Sequence, residues 1–182
     1  MKTLELFAGS SSFSKGIKRN YPDAECITVD LSTRFNPTIV TSMLEWDYTV
    51  YPPGHFDIIW ASPPCTHYSI AKTRGERDLE GSDQLVRKAL EIIDYFKPTY
   101  WLIENVGTGL LVDRMENIRS GLHRSFTDYC CYGKPVRKRT VFWSNVPLDL
   151  QLCEGIGKCK QMNGTRDRKS TRLNSSHTDI SR

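Results

Sequence analysis

Two reactive side chains, a cysteine and an acid, each stand directly after an apolar run of the chain. The turn Ser-Pro-Pro-Cys at 62–65 ends on Cys65, and its two prolines fix two φ angles. A turn this stiff can hold one thiol in a set position, whereas the ordinary fate of a cysteine is inert burial. Glu104 follows Trp-Leu-Ile at 101–103, where an acid buried alone would be costly. We therefore expect Cys65 to act as a nucleophile beside Glu104 as a catalytic acid, with an exposed loop carboxylate as the alternative.

A small-residue turn at 7–12, Phe-Ala-Gly-Ser-Ser-Ser, connects a predicted strand to a predicted helix. Such a turn lets a ligand approach backbone N–H groups at a helix N-terminus. Asp30 ends the next predicted strand, where an acid can bind the hydroxyl pair of a ribose. These two features suit a nucleotide-like cofactor, and ordinary loop chemistry is the alternative. The serines depart from the G-x-G-x-x-G fingerprint, which argues against NAD.

Strand and helix patterns alternate along the chain and would position these groups. The hydrophobic patterns predict strands at 3–8, 26–30, 38–41, 56–60, 100–103, 126–131 and 140–143. They predict helices at 13–20, 82–97 and 113–122, with Ser82 capping the second helix and Pro98 ending it. This alternation predicts an α/β fold with a mostly parallel, doubly wound sheet. In such a sheet Asp30, Cys65 and Glu104 share the carboxyl edge.

Composition limits the classes of protein that remain. With 38% apolar and 25% charged residues, the 182-residue chain can bury a core and form about one domain. No apolar run approaches the ~20 residues of a membrane span, and no secretion signal is present, so we expect a cytoplasmic protein with free thiols. A net charge of +4 is too small to establish a nucleic-acid partner. The spacing of Cys153 and Cys159 is unlike a metal site, so we assign no metal, and we predict strand packing for Cys130-Cys131.

Four motifs in order resemble the cytosine-C5 DNA methyltransferases. Their first motif matches Phe7-Ala8-Gly9, the nucleophile motif Pro63-Pro64-Cys65, the acid motif Glu104-Asn105-Val106 and the arginine motif Arg137-Lys138-Arg139. The resemblance implies a Rossmann-like, S-adenosylmethionine-dependent methyltransferase fold. It also implies S-adenosyl-L-methionine as the methyl donor and double-stranded DNA with a flipped cytosine as the partner, because C6 of a stacked cytosine is out of reach.

The resemblance also implies roles for individual residues. Cys65 would add to C6 of cytosine, and Glu104 would hold the exocyclic amine and N3. Arg137 and Arg139 would orient the base and balance charge near the thiolate. Cofactor contacts are expected from a set of edge residues: Phe7, Ala8, Gly9, Ser10, Asp30, Ser42 and Pro63. The loop at 70–81 would close over DNA, with a solvated mixed-charge loop as the alternative.

Several positions depart from the family pattern. Pro135-Val136 stands where the family carries a glutamine, serines replace the glycine pair of the first motif, and Ser42 takes the place of an aspartate. These changes resemble the divergent enzymes of phages and mobile elements. We therefore expect an enzyme of a prokaryotic cell or a phage-infected host, of the kind found in restriction-modification systems.

Three regions are predicted along the chain. Residues 1–145 form the catalytic domain, and 146–166 begin a truncated target-recognition region. Residues 167–182 form a disordered tail that resembles one reading frame of a sequencing adapter, and they are excluded from fold reasoning. Because later family motifs are missing, we expect little or no activity. We also expect a monomer. A tRNA cytosine-C5 methyltransferase with the same Pro-Pro-Cys motif and a non-catalytic nucleic-acid-binding module are the alternatives.

Overall fold

The computed structural model describes residues 1–155 and 159, and these contain one seven-stranded sheet with α-helices between its strands. The strands are β1 Lys2–Leu6, β2 Glu25–Asp30, β3 Ile39–Val40, β4 Ile58–Ala61, β5 Tyr100–Val106, β6 His123–Asp128 and β7 Arg139–Ser144. The helices are α1 Ser12–Asn20, α2 Leu79–Phe96 and α3 Leu111–Ile118. The predicted tail at 167–182, and residues 156–158 and 160–166 of the predicted recognition region, lie outside the described residues.

The sheet is mostly parallel and its strand order is β3-β2-β1-β4-β5-β7-β6. Strands β1 to β5 pair in parallel, whereas β7 pairs antiparallel with both β5 and β6. Strands β2 and β3 lie on one side of β1, and the chain then returns to add β4 and β5 on the other side. Right-handed crossovers therefore place α1 and α2 on opposite faces, and a crevice forms at the carboxyl ends of β1 and β4. The predicted doubly wound α/β fold is confirmed.

The central strand β1 is buried on both faces. Leu4 and Leu6 are fully buried in the apolar core with α2. Glu5, on the other face, is only 2% exposed and accepts backbone hydrogen bonds from Phe13 at 3.3 Å and Ser14 at 2.9 Å. Helix α1 has no side-chain cap of its own, so the carboxylate of the neighbouring strand satisfies its first N–H groups.

The longest helix begins earlier than its hydrophobic pattern predicts. The prediction that Ser82 caps α2 is wrong, because Asp78 is the N-cap and its side chain accepts the N–H of Gly81 at 2.8 Å. Ser82 lies inside the first turn, where its hydroxyl donates to the Asp78 carbonyl at 2.7 Å. At the other end Lys97 has φ 50°, which stops the helix before Pro98 as predicted.

Two other boundaries differ because of β7. Glu104 was expected after a strand, but β5 continues to Val106 because its pairing with β7 places Glu104 opposite Phe142. The expected strand at 126–131 begins at His123 and ends at Asp128. Cys130 and Cys131 therefore belong to a 3₁₀ turn, Tyr129–Tyr132, and the prediction that they pack in a strand is wrong.

None of the helices in the described part of the chain is long and apolar enough to cross a membrane.

Candidate active site

The turn that carries Cys65 is fixed between the two strands that flank β4. The N–H of Ser62 donates to the carbonyl of Leu6 at 3.1 Å. On the other side the amide of Asn105, which is 2% exposed, donates to the carbonyl of Pro63 at 3.0 Å. These bonds hold Cys65 at the carboxyl edge of β4, between the ends of β1 and β5.

The segment after Cys65 is attached to α2 and α3 by a network of polar side chains. The N–H groups of Tyr68 and Ser69 donate to the Cys65 carbonyl at 3.0 and 2.8 Å. Tyr68 is fully buried and its hydroxyl donates to Asp83 of α2 at 2.8 Å. Arg114 of α3 also binds that carboxylate, with Nε 3.1 Å from each oxygen. Burial would raise the pKa of Asp83, but the hydrogen bonds from Arg114 and Tyr68 outweigh it and lower the pKa.

Glu104 is bound by Lys138, which lies in the basic turn at residues 133–138, just before β7. Nζ of Lys138 donates to Oε1 of Glu104 at 3.1 Å, and the hydroxyl of Tyr129 donates to the same oxygen at 3.4 Å. The ammonium also lies 5.1 Å from the centre of the Tyr129 ring. The carboxylate is only 13% exposed, so its charge is held in place by two donors at the carboxyl edge of β5.

The same two charges act on the thiol of Cys65. Burial raises the pKa of Cys65 above its usual value, the positive charge of Lys138 lowers it, and Glu104 raises it. A thiol, a carboxylate and an ammonium group therefore come together at the carboxyl edge of the sheet. This set of groups can add a thiolate to an electron-poor ring while a proton or hydrogen bond is held nearby.

The two predicted arginines bind a different partner. Arg139 donates to both oxygens of Asp128, at 2.8 and 2.9 Å, and Arg137 donates to Oδ1 at 3.3 Å. Asp128 is fully buried and also accepts the N–H of Cys153 at 3.0 Å. Burial would raise its pKa, but bonds from Arg139, the Cys153 N–H and Arg137 outweigh it and lower the pKa. Lys138, rather than either arginine, supplies the positive charge beside the thiol.

The predicted cofactor turn is attached to the end of β2. The N–H of Gly9 donates to Asp30 at 2.8 Å, and the N–H of Ser32 donates to the other oxygen of that carboxylate at 2.8 Å. Ala8 is buried and its N–H donates to the carbonyl of Val29 at 3.1 Å. Gly9 has φ 47°, a left-handed conformation that favours glycine at this position.

A cavity of about 110 Å³ lies beside this turn. Its lining includes three of the predicted cofactor residues, Phe7, Asp30 and Ser42. It also includes residues that the sequence did not indicate: Leu31, Thr41, Met43, Pro64 and Leu85. The other four predicted cofactor residues are not among the lining residues: Ala8, Gly9, Ser10 and Pro63.

Sequence reasoning missed Lys138 and Asp128. Lys138 lies just before β7 and binds Glu104, whereas Arg137 and Arg139 bind Asp128. The sequence does not show this alternation, because the predicted strand begins only at residue 140. Asp128 ends β6, but the predicted strand at 126–131 places it inside a strand, so the strand-end signal that singles out Asp30 is absent there. The pairing of Tyr68 with Asp83 has no local signal, because it joins a loop to a helix.

A comparison with known proteins identifies the class of this fold and then its family. The chain superposes on the crystal structure of the S. pombe Dnmt2 methyltransferase with a TM-score of 0.55. That match covers 82% of this chain and 50% of that one at 12% identity, and it supports a methyltransferase fold. The family described as C-5 cytosine-specific DNA methylase matches residues 1–129. The chain belongs to this family.

Two relatives agree with this assignment. The "Probable DNA (cytosine-5)-methyltransferase" of Frog virus 3 is 34% identical over 89% of this chain and 79% of its own length. The Type II methyltransferase M.AgeI of Thalassovita gelatinovora is 28% identical over 78% of this chain and 38% of its own. The chain thus spans most of the viral relative and well under half of the bacterial one. The predicted family, enzyme class and methyltransferase fold are confirmed, and the family implies use of S-adenosylmethionine.

Proposed function

We propose that this chain transfers a methyl group from S-adenosyl-L-methionine to C5 of cytosine in DNA, with Cys65 as the covalent nucleophile. The observation that carries the proposal is the placement of Cys65 beside Glu104 and Lys138 at the carboxyl edge of β4 and β5. The name of the viral relative and the description of the family support DNA as the nucleic acid. The non-catalytic alternative gives no reason for a thiol, an acid and a cation to meet at this edge.

The reaction requires that an unreactive ring carbon become a nucleophile. The Cys65 thiolate forms a bond to C6 of cytosine, and the electron pair of the C5–C6 double bond becomes available at C5. When bound, S-adenosylmethionine would supply an electrophilic methyl group to C5, and S-adenosylhomocysteine would be the leaving group. A base, such as water, then removes the C5 proton, the double bond re-forms and the sulfur leaves C6. Cys65 is regenerated, so the thiol is a catalyst and is not consumed.

Glu104 and Lys138 have complementary roles in this proposal. Glu104 holds the exocyclic amine and N3 of the base, so the charge that develops on the ring is stabilised. Lys138 fixes the Glu104 carboxylate and favours the thiolate form of Cys65. We also propose Arg137 and Arg139 as contacts to the flipped base. Because both are bound to Asp128, such a contact requires that an arginine leave that carboxylate.

The cofactor is proposed to bind in the crevice beside the turn at 7–10. The residues fit its chemistry, because the carboxylate of Asp30 lines the cavity together with Leu31, an apolar side chain that is 68% exposed. An acid can bind ribose hydroxyls, and an apolar side chain can pack against an adenine ring. Phe7 and Ser42 line the same cavity. We also propose cofactor contacts from four residues near it that do not line it: Ala8, Gly9, Ser10 and Pro63.

We propose double-stranded DNA with a flipped cytosine as the partner, acted on by a monomer in the cytoplasm of a prokaryotic or phage-infected cell. The test is covalent trapping on DNA that contains 5-fluorocytosine. Fluorine at C5 cannot leave as a proton, so the sulfur stays on C6. Trapping reports a single chemical event and therefore does not need multiple turnover.

The expected result is a denaturation-resistant adduct that requires S-adenosylmethionine and maps to Cys65 by peptide mass spectrometry. Cys65→Ser should lose it, and Cys26→Ser, on β2 away from the site, should retain it. An equal adduct with Cys65→Ser would remove Cys65 from its role. An adduct on tRNA and none on DNA would favour the RNA methyltransferase, and no adduct on either would favour the non-catalytic module.

A further inference from the structure

Three cysteines that the proposed reaction does not use form a cluster near Asp128, the carboxylate that binds Arg137 and Arg139. Cys130 lies in the 3₁₀ turn after β6 and is 1% exposed. Cys153 and Cys159 belong to the segment after β7. The three Sγ atoms all lie within 4.8 Å of one another. Two separate parts of the chain therefore bring three thiols to one point.

The separations agree with the size of a thiolate-bound metal ion. Zn–S bonds are ~2.3 Å, and sulfur atoms at the corners of a tetrahedron around zinc are about 3.8 Å apart. Sulfur ligands in tetrahedral geometry select zinc or an iron–sulfur cluster over the hard cations. Three thiolates supply three of the four ligands of the zinc sites that are built from three cysteines and one further donor.

The backbone around Cys153 also resembles the surroundings of a metal-bound sulfur. The N–H of Gly155 donates to Sγ of Cys153 at 3.4 Å. The N–H of Cys159 donates in turn to the carbonyl of Gly155 at 3.1 Å. Gly155 has φ 107°, so the tight turn that directs its N–H at the sulfur is one that other residues rarely adopt. Hydrogen bonds of this kind orient a thiolate and offset its charge.

The segment that carries two of the thiols has no helix or strand at 147–155 and is held by hydrogen bonds. The carbonyl of Gln151 accepts the hydroxyl of Thr127 at 2.7 Å, and the N–H of Gln151 donates to the hydroxyl of Tyr132 at 3.1 Å. The N–H of Leu148 donates to Oγ of Ser125 at 3.3 Å, and the N–H of Cys153 donates to Asp128 at 3.0 Å. A metal cross-link at Cys153 and Cys159 would fasten this segment to the turn of Cys130, next to the carboxylate that binds both arginines.

We propose that Cys130, Cys153 and Cys159 bind one zinc ion that fastens the segment after β7 to the end of β6. Each thiol gives up one proton to solvent and forms one Zn–S bond, and a water or another donor takes the fourth position. The ion has a structural role, and it is independent of the methyl-transfer proposal. The proposal departs from the sequence-based expectation of no metal, which rests on the spacing of Cys153 and Cys159 and does not include Cys130.

The first experiment measures metal in the full chain purified without chelator or oxidant. Elemental analysis should find one zinc per chain. Replacement by Co²⁺ should give a thiolate-to-cobalt charge-transfer band and the visible bands of a tetrahedral site. Cys130→Ser, Cys153→Ser and Cys159→Ser should each lose most of the zinc and change the cobalt spectrum, while the matched control Cys26→Ser should keep both.

A second measurement needs no variant and covers the case in which Cys130→Ser fails to fold. A strong chelator should lower the melting temperature of the unaltered chain, and added zinc should restore it. A folded chain, verified by circular dichroism, that holds no zinc and gives no cobalt bands would overturn the proposal. A disulfide between two of the three cysteines, found by mass spectrometry in anaerobically purified protein, would also overturn it.

Discussion

Nζ of Lys138 donates a 3.1 Å hydrogen bond to Oε1 of Glu104, and the two charges act in opposite directions on the thiol of Cys65. Burial has the largest effect and raises the pKa of that thiol, and Glu104 adds to the increase. Lys138 is the charge that favours the thiolate. The lysine is therefore placed to fix the acid and to activate the nucleophile at the same time.

Neutralising either charge should move the reactivity of Cys65 along the pH axis in opposite directions. Lys138→Met removes a nearby positive charge, so the pKa of Cys65 should rise and alkylation should need higher pH. Glu104→Gln removes a negative charge, so the pKa should fall and alkylation should begin at lower pH. The measurement is the rate of iodoacetamide modification of Cys65 against pH, followed by peptide mass spectrometry. Lys134→Met, an exposed lysine in the same turn, should leave the profile in place.

A downward shift with Lys138→Met would contradict this assignment of charge. Equal shifts with Lys138→Met and Lys134→Met would mean that only the net charge of the turn matters.

Asp128 should be the acid on which the late strands depend. Its pKa is lowered in the folded chain, so its contribution to stability is present above the pKa of ~3.9 of an unfolded aspartate. That contribution is lost as the pH falls through the lower, folded value. Asp128→Asn leaves two arginines facing a neutral amide and should cost roughly 3–5 kcal/mol at pH 7.

The check is urea unfolding at several pH values. The stability of Asp128→Asn should change less than that of the unaltered chain between pH ~5 and ~2, because the titrating carboxyl is gone. Asp94→Asn is the matched control, since Asp94 binds Arg119 with a side chain that is 55% exposed. It should cost about 0–1 kcal/mol. Similar losses of unfolding free energy in the two variants would show that the buried ion pairs of Asp128 contribute no more to stability than an exposed one.

The sheet edge could be predicted from local signals. An apolar run followed by glycine, proline or an acid marked the ends of β1, β2 and β4, and Asp30 and Cys65 lie at those ends. The rule that parallel strands share a carboxyl edge then brings the residues together without any knowledge of side-chain contacts.

The environment of Glu104 could not be predicted in the same way. It depends on β7 inserting antiparallel between β5 and β6, and the hydrophobic pattern of a strand does not identify its neighbour. Without that neighbour, β5 ends too early and β7 begins too late. The alternation that separates Lys138 from Arg139 is then hidden in a predicted loop. Hydrogen bonds that join distant elements, such as Tyr68 with Asp83, are invisible for the same reason.

Tyr68 should position the nucleophile loop through its hydroxyl. Tyr68→Phe keeps the ring and removes one of the two hydrogen bonds to Oδ1 of buried Asp83, so that the 3.1 Å bond from Nε of Arg114 remains on that oxygen. We expect a loss of roughly 1–3 kcal/mol of stability and slower trapping by Cys65, since the loop that bonds its carbonyl is loosened. The measurements are urea unfolding and the rate of adduct formation.

Tyr48→Phe is the control for Tyr68→Phe, because its hydroxyl also donates to a carboxylate, Glu91 at 2.6 Å, in an exposed setting. It should change neither the trapping rate nor stability by much. A trapping rate that is unchanged in Tyr68→Phe, with stability reduced, would restrict Tyr68 to a structural role.

The charge of Asp30 should contribute to the affinity for the cofactor, whereas the charge of Asp57, an aspartate next to another strand, should not. Asp30 lies at the carboxyl end of β2 and lines the cavity, with its oxygens bound by the N–H groups of Gly9 and Ser32. Asp57, just before β4 at the opposite edge, likewise accepts a backbone hydrogen bond, from Lys2 at 2.7 Å.

Substitution of either aspartate by Asn keeps the shape of the side chain and removes its charge. Asp30→Asn should weaken binding of S-adenosylhomocysteine at least tenfold in titration calorimetry, or about 1.4 kcal/mol, because an amide is a poorer acceptor for two ribose hydroxyls. Asp57→Asn should bind it as the unaltered chain does. Equal affinity in Asp30→Asn and Asp57→Asn, with both variants folded, would place the ribose somewhere other than the end of β2.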